Sequence, residues 1–338
     1  MIQTGKQQEL RRQCTGAEVF PTEVLNWIQE ENLWNLWVPE TYGGLGLPLT
    51  GGLAKLKELA RIDGSLGWTV TLCSGANYFI GNLQQDKAQE IFIDSGETVC
   101  FGGSGGVLGT AELVDDHYKI SGKWRYATGA PYLTHFTLNA ELRENGNVVR
   151  NGDGSPKVLS FVISKEKVRI IEDWNTMGLK ATATFSFEVN DVLVHKSNGF
   201  LYNDHHLPDP IFKIPFSVFA DLTLWINYIG MAQHLYEEAF RSIDKGLLDD
   251  LEHTIKDGDL KIFRYAEQVE NGILTHKSLD DRIIQEVHHI ASESIKTLSR
   301  HIIGIFPFLG VNASRDNHPL NQIFRDYFTA TQHHNFTK

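Results

Sequence analysis

SGKWRYATGA at residues 121–130 and DWNTMGLKATATFSFEVNDVLV at 173–194 are the stretches on which the fold turns. In an extended chain side chains alternate with period two, so the spacing predicts Trp124, Tyr126 and Thr128 on one face of a strand. Both stretches sit in a run from Gly96 to about 203, where short segments rich in Val, Phe, Ile and Thr are separated by Gly, Asn and Asp. That texture predicts antiparallel strands closing into a compact barrel or sandwich.

On both sides of this run the period becomes helical. VLNWIQEENLWNLWVP at 24–39 spaces its apolar residues as a helix does and stops at Pro39 and the turn-forming YGGLGLP. Residues 51–81 read as two helices broken near Asp63-Gly64, and 85–96 as a short closing helix. After NDHHLPDP at 203–210, the segment 216–243 reads as one long helix, apolar enough to pack on several sides. Further helices are expected over 260–274, 282–307 and 319–334. Helices, then strands, then helices, with no βαβ alternation, disfavours a doubly wound sheet. The expected fold class is α+β: a helical domain over 1–95, an antiparallel β-barrel over 96–203 and a C-terminal helical domain over 204–338.

The formal charge of -11 argues against nucleic-acid and anionic-membrane partners, which would repel such a chain. Cys14, Cys73 and Cys100 are far apart and form no CxxC, so neither a disulfide framework nor a structural zinc site is expected. With no signal-peptide core and no apolar run long enough to span a bilayer, the expected location is the cytoplasm.

Four motifs could carry chemistry. FGGSGGVLG at 101–109, with Gly103 and Ser104, lacks GxGxxG spacing. It suits either a flexible strand connection or a backbone that lets a flat ligand approach closely. The Trp124–Tyr126–Thr128 face suits barrel core, or the wall and polar edge of a flavin ring. In 173–194 a Gly turn leads into a Thr-rich bend that includes Thr184. On a continuous C-terminal helix, Asp326 and His333 lie seven residues apart on one stripe, with Arg325 and Thr329 beside them. A solvated helix end explains that pattern as well as a site does. The adjacent pairs His205-His206, His288-His289 and His333-His334 point apart on a helix and do not predict a metal site.

In this order the pieces resemble the acyl-CoA dehydrogenase superfamily over nearly the whole chain. LWVPETYGGLGL at 36–47, SGKWRYATGA, WNTMGLKATATFSFEVNDVLV and GMAQHLYEEA at 230–239 each match a family block. The resemblance implies a flavin between the β and C-terminal helical domains, usually in a tetramer. It places Tyr126 at the aromatic position and Thr128 at the hydroxyl that bonds the flavin N5/O4 edge.

Departures from the family pattern bear on the subclass. The Tyr-Glu-Gly-Thr segment that carries the dehydrogenase base is missing. The alternative position for that base, ten residues before Gly230, is Ala220, with Asp221 the nearest acid. Lys245-Gly246-Leu247 stands where the family grips the adenylate half of FAD with Arg-x-x-Phe-Gly. By contrast, Arg325, Asp326, Ala330 and His333 match the Arg-Asp-x-x-x-Ala-x-x-His ending of the flavin-dependent hydroxylase and sulfoxidase branch. That branch takes reduced flavin, FMN or FAD, from a separate reductase and uses it to activate oxygen.

The resemblance thus implies a two-component monooxygenase acting on an aromatic or heteroaromatic small molecule. His333 would be an acid-base group with pKa near 7, and Asp326 would pair elsewhere, with an Arg as one choice. An acyl-CoA dehydrogenase using Asp221 and a non-catalytic protein of the same fold remain as alternatives. A homotetramer built through the helices at 216–243 and 282–307 is expected, because both carry more apolar residues than one buried face requires.

Overall fold

The computed structural model describes residues 2–275 and 279–336. The outermost residues of the first and third expected domains, 1 and 337–338, lie outside these limits. The N-terminal helices are α1 (Thr4–Cys14), α2 (Thr22–Glu30), α3 (Leu49–Ile62), α4 (Gly64–Asn77) and α5 (Gln85–Gln89), the last running into a π turn at Glu90–Asp94. The helix expected to reach Pro39 ends at Glu30. Asn32 turns left-handed at φ 54, Leu33–Asn35 form a short 3-10 turn, and Trp34, Leu36 and Trp37 are buried. At the expected break, the Asp63 carboxylate caps α4 by accepting the Leu66 N–H at 2.9 Å.

The β region is the main correction to the sequence reading. Strands β1 (Phe101–Val114), β2 (His117–Ala127), β3 (His135–Glu144), β4 (Asn147–Val148), β5 (Val158–Ser164), β6 (Arg169–Ile171), β7 (Phe185–His195) and β8 (Gly199–Phe200) form one sheet of order β6-β7-β2-β1-β3-β5-β8, with β4 on β3. The sheet is open and mixed rather than a closed antiparallel barrel. Both β2 and β3 pair with β1, β2 antiparallel and β3 parallel. After β2 the turn at Ala130–Tyr132 carries the chain to the far side of β1, so β3 returns in the direction of β1. The edge strands β6 and β8 are three and two residues long, and no ladder joins them among the described residues.

The C-terminal helices are α6 (Phe216–Ala239), α7 (Asp249–Leu274), α8 (Asp281–Ile305) and α9 (Pro319–Ala330). Helix α6 is buried along nearly its whole length, as its all-round apolar sequence requires. It crosses α3 at Gly230, where a Cβ would come within 2.7 Å of the Ala60 Cβ and the Lys57 carbonyl oxygen. This burial corrects the expectation that α6 carries surplus apolar surface for assembly. The apolar side chains left exposed on the C-terminal helices and their connections include Leu260, Ile303, Phe308 and Val311. Cys14, Cys73 and Cys100 are reduced and buried. No helix among the described residues is long and apolar enough to cross a membrane.

Candidate active site

A cleft of ≈ 320 Å³ opens where α4, α6, the start of β1 and the segment after α9 meet. Helix α6 presents Phe216, Phe219, Ala220 and Thr223 to it, a single helical stripe at i, i+3, i+4 and i+7. The glycine run lies inside β1 rather than before a strand. Two register shifts between Ser104 and Gly109 break its ladder with β3, and such bulges re-aim the backbone. The Asn139 amide donates to the Gly105 carbonyl at 2.9 Å and holds the bulge, so Gly103, Ser104 and Gly105 face the cleft.

The residues expected to share a face on β2 do not. Opposite β7, the pairing passes from Trp124↔Phe187 to Ala127↔Phe185, so β2 holds one extra residue there. Trp124 is fully buried, stacks on Phe187 at 5.4 Å and donates its indole N–H to the Asn139 carbonyl. It gives the cleft no wall. Tyr126 sits at the bulge with φ 69 and is 66% exposed, its ring edge-on to Trp174. Thr128 lines the cleft, and its hydroxyl lies 3.1 Å from that of Thr184. Thr184 stands one step behind, away from the lining.

At the C-terminus the structure separates the three residues read as a catalytic set. Helix α9 ends at Ala330, so His333 lies in the turn beyond it and shares no helical stripe with Asp326. Arg325 donates to the carbonyls of Met177 and Asp316. Among the described residues Asp326 forms an ion pair with no arginine. It is buried, accepts the Leu179 N–H at 2.5 Å, and faces Asp63. Burial, and then the neighbouring carboxyl, push the Asp326 pKa upward, and burial does the same to Asp63. Gly178 explains the Met-Gly step of the sequence block: a Cβ there would lie 2.3 Å from the Arg325 backbone, so only glycine lets α9 seat on this loop.

Of the three, His333 reaches the cleft. Its ring packs edge-on against Trp68 at 5.6 Å, and its Nδ1 accepts the Asn335 N–H at 3.4 Å. Burial, reinforced by His334, lowers its pKa to about 4. The value near 7 expected from the sequence is therefore not met, because the imidazolium would lose its water. Asn335 also donates to Asp221 at 2.7 Å, and the His288 ring lies 3.1 Å from the same carboxylate oxygen. Asp221 thus anchors the terminal segment instead of facing the cleft, where Ala220 stands.

The sequence reading missed Tyr202, Phe216, Phe219 and Asn335. The signal for the two α6 residues was present as a stripe but indistinguishable from core. A larger cavity of ≈ 450 Å³ lies behind Trp37, between the 46–50 turn and the end of α7. It touches none of the residues expected to be catalytic or to contact the flavin, and the Trp37–Phe219 edge contact separates it from the cleft.

A family model described as acyl-CoA dehydrogenase, N-terminal domain, matches residues 6–89. XiaF from Streptomyces sp., solved in complex with FADH2 and glycerol, superposes with a TM-score of 0.87 at 18% identity, covering 98% of this chain and 89% of that one. The chain has the acyl-CoA dehydrogenase-like fold. Indole-3-acetate monooxygenase of Pseudomonas putida is 27% identical over 219 residues, 64% of this chain and 54% of that protein. The flavin-dependent monooxygenase oxygenase subunit HsaA of Rhodococcus jostii is 25% identical over 227 residues, 64% of this chain and 57% of that protein. The aligned chain thus spans little more than half the length of these two relatives.

Proposed function

We propose that the chain is the oxygenase component of a two-component flavin monooxygenase, acting on an aromatic or heteroaromatic small molecule. The observation that carries this reading is the lining of the cleft. It offers aromatic and small apolar walls, hydroxyls and an imidazole, and no carboxylate among the described residues. Removing an α-proton from an acyl thioester needs a base at the substrate, and Ala220 occupies the place such a base would take on α6. Relatives named as an indole-3-acetate monooxygenase and as an oxygenase subunit support both the substrate class and a separate flavin reductase.

The residues present fit a flavin, FMN or FAD. Tyr126 offers an exposed aromatic face at the end of β2, Thr128 a buried hydroxyl at the adjoining edge, and Gly103 and Ser104 a backbone without bulk. Reduced flavin, when bound, supplies the electrons that activate oxygen. Phe216, Phe219 and Phe79 would clamp a flat substrate and keep water out. With its pKa near 4, His333 is neutral at neutral pH. Because Nδ1 accepts the Asn335 N–H, the ring proton sits on Nε2, and the imidazole is a hydrogen-bond donor there.

An anaerobic experiment tests the reading. The chain is loaded with reduced FMN and then mixed with oxygen and indole-3-acetate as a probe aromatic. Oxygen-dependent reoxidation slower than that of free flavin, with a hydroxylated product from this or another aromatic, is expected. Bleaching of bound oxidised FAD by an acyl-CoA would replace the proposal with a dehydrogenase, and neither response would leave a binding protein.

A further inference from the structure

Behind Thr128 a row of threonine hydroxyls runs in a defined direction. Thr182 Oγ1 lies 2.7 Å from the Leu179 carbonyl oxygen, and a carbonyl only accepts, so the Thr182 proton lies in that contact. The hydroxyl oxygens of Thr182 and Thr184 are also 2.7 Å apart. Two oxygens at that separation repel unless a proton lies between them, and the Thr182 proton is already committed. Thr184 therefore donates to Thr182. Thr184 has no second proton for Thr128, whose Oγ1 stands 3.1 Å away, so Thr128 is the donor in that bond. With its one proton turned inward, Thr128 has only lone pairs to offer the cleft.

The far end of the row is well held. The Leu179 carbonyl also takes the Trp174 indole N–H at 2.9 Å, and its N–H donates to Asp326. The Gly129 N–H donates to the Thr182 carbonyl at 2.7 Å, tying the 179–184 segment to the end of β2. Reversing the row would leave Thr182 Oγ1 against the Leu179 oxygen with no proton between them.

We propose that Thr182 and Thr184 fix Thr128 as a hydrogen-bond acceptor, and that this proton order makes the site read the redox state of its flavin. The inference rests on the flavin reading above. The reduced ring carries an N–H at N5, while the oxidised ring carries a bare acceptor nitrogen there. An acceptor hydroxyl bonds the first and opposes the second. To meet the oxidised ring Thr128 would have to break from Thr184 and leave that oxygen without its donor. Thr182 and Thr184 are positioning residues that touch no ligand themselves.

The test compares dissociation constants for oxidised FMN and dithionite-reduced FMN, measured anaerobically by fluorescence quenching. The wild-type chain is expected to favour the reduced form. Thr182→Val releases the Thr184 proton toward Thr128, and Thr184→Val releases the Thr128 proton toward the cleft. Each should lower the oxidised-to-reduced ratio by roughly 2- to 12-fold, the worth of one hydrogen bond. Thr182→Ser and Thr184→Ser should keep the wild-type ratio. An unchanged ratio in Val variants that melt like the wild type overturns the inference and leaves the flavin reading standing. A wild-type chain that binds neither form overturns both. Should the Val variants fail to fold, the unmodified protein still answers through reduced FMN labelled with 15N at N5. A protected, hydrogen-bonded N5 proton is expected, and one exchanging freely with solvent overturns the proposal.

Discussion

His333 gained a position and lost a property between sequence and structure. The resemblance to the hydroxylase branch marked it, and the cleft receives it, but its surroundings favour the neutral ring over the imidazolium. His333→Ala should keep the fold and flavin binding yet lower hydroxylation by about 10²–10⁴-fold, with reduced flavin consumed as hydrogen peroxide. The measurement is product formed per flavin oxidised, and equal coupling in both proteins would remove His333 from the chemistry. Its folded pKa lies below the unfolded value, so its stabilising contribution is full above about 6.5 and is lost as pH falls through about 4. The acid limb of the melting curve in the Ala variant should be flatter, by on the order of 2 kcal/mol after allowing for partial exposure. Thr128→Val should weaken flavin retention by ~0.5–1.5 kcal/mol, checked by titration. Thr128 and His333 were legible because single residues survive errors in the surrounding geometry. Trp124 and Tyr126 were misplaced because a period-two reading assumes a regular strand, and one extra residue turned Tyr126 outward.

At the level of elements, α9 is tied to the 177–184 loop through Asp326. A buried carboxyl whose pKa is raised by burial and a second carboxyl holds its proton more tightly in the folded chain than in the unfolded one. Its contribution is present at low pH and is lost as pH rises through the folded value. Asp326→Asn keeps an acceptor for the Leu179 N–H and removes the titration. Its melting temperature should match the wild type at acid pH and exceed it from neutrality into alkaline buffer. Asp326→Leu leaves that N–H without its partner and should cost about 1–3 kcal/mol by denaturant unfolding. Equal alkaline melting of Asn variant and wild type would refute the raised carboxyl. Most helices and the break near Asp63-Gly64 were readable from the sequence, although α7 begins at Asp249 rather than at 260 and the helix expected to reach Pro39 stops at Glu30. The tie itself was not, since Asp326 and Leu179 lie 147 positions apart and local pattern carries no such pairing.

Across the whole molecule, the order of helices, strands and helices was legible because period changes at about Gly96 and again after 203. The open, mixed sheet was not, because alternation does not reveal which neighbour a strand takes or in which direction. Assembly follows from what the single chain leaves uncovered. With α6 buried internally, Leu260, Ile303, Phe308 and Val311 remain as exposed apolar side chains near the C-terminal helices. We expect a homo-oligomer, with a tetramer the favoured form, that covers some of these side chains. A monomer mass by light scattering at micromolar concentration would contradict it, and Leu260→Glu with Ile303→Glu should shift the mass downward.

The three reduced cysteines take on meaning once leakage is considered. An oxygenase that misses its target releases hydrogen peroxide at its own centre, and the thiolate is the form of cysteine that peroxide attacks. Burial raises the Cys14 and Cys100 thiols well above their ordinary pKa, and Cys73 points its sulfur at the Thr128 carbonyl from a fully buried position. On the proposed oxygenase reading, the molecule therefore exposes no thiol to that side product. It should survive many unproductive turnovers without sulfenylation of these three thiols.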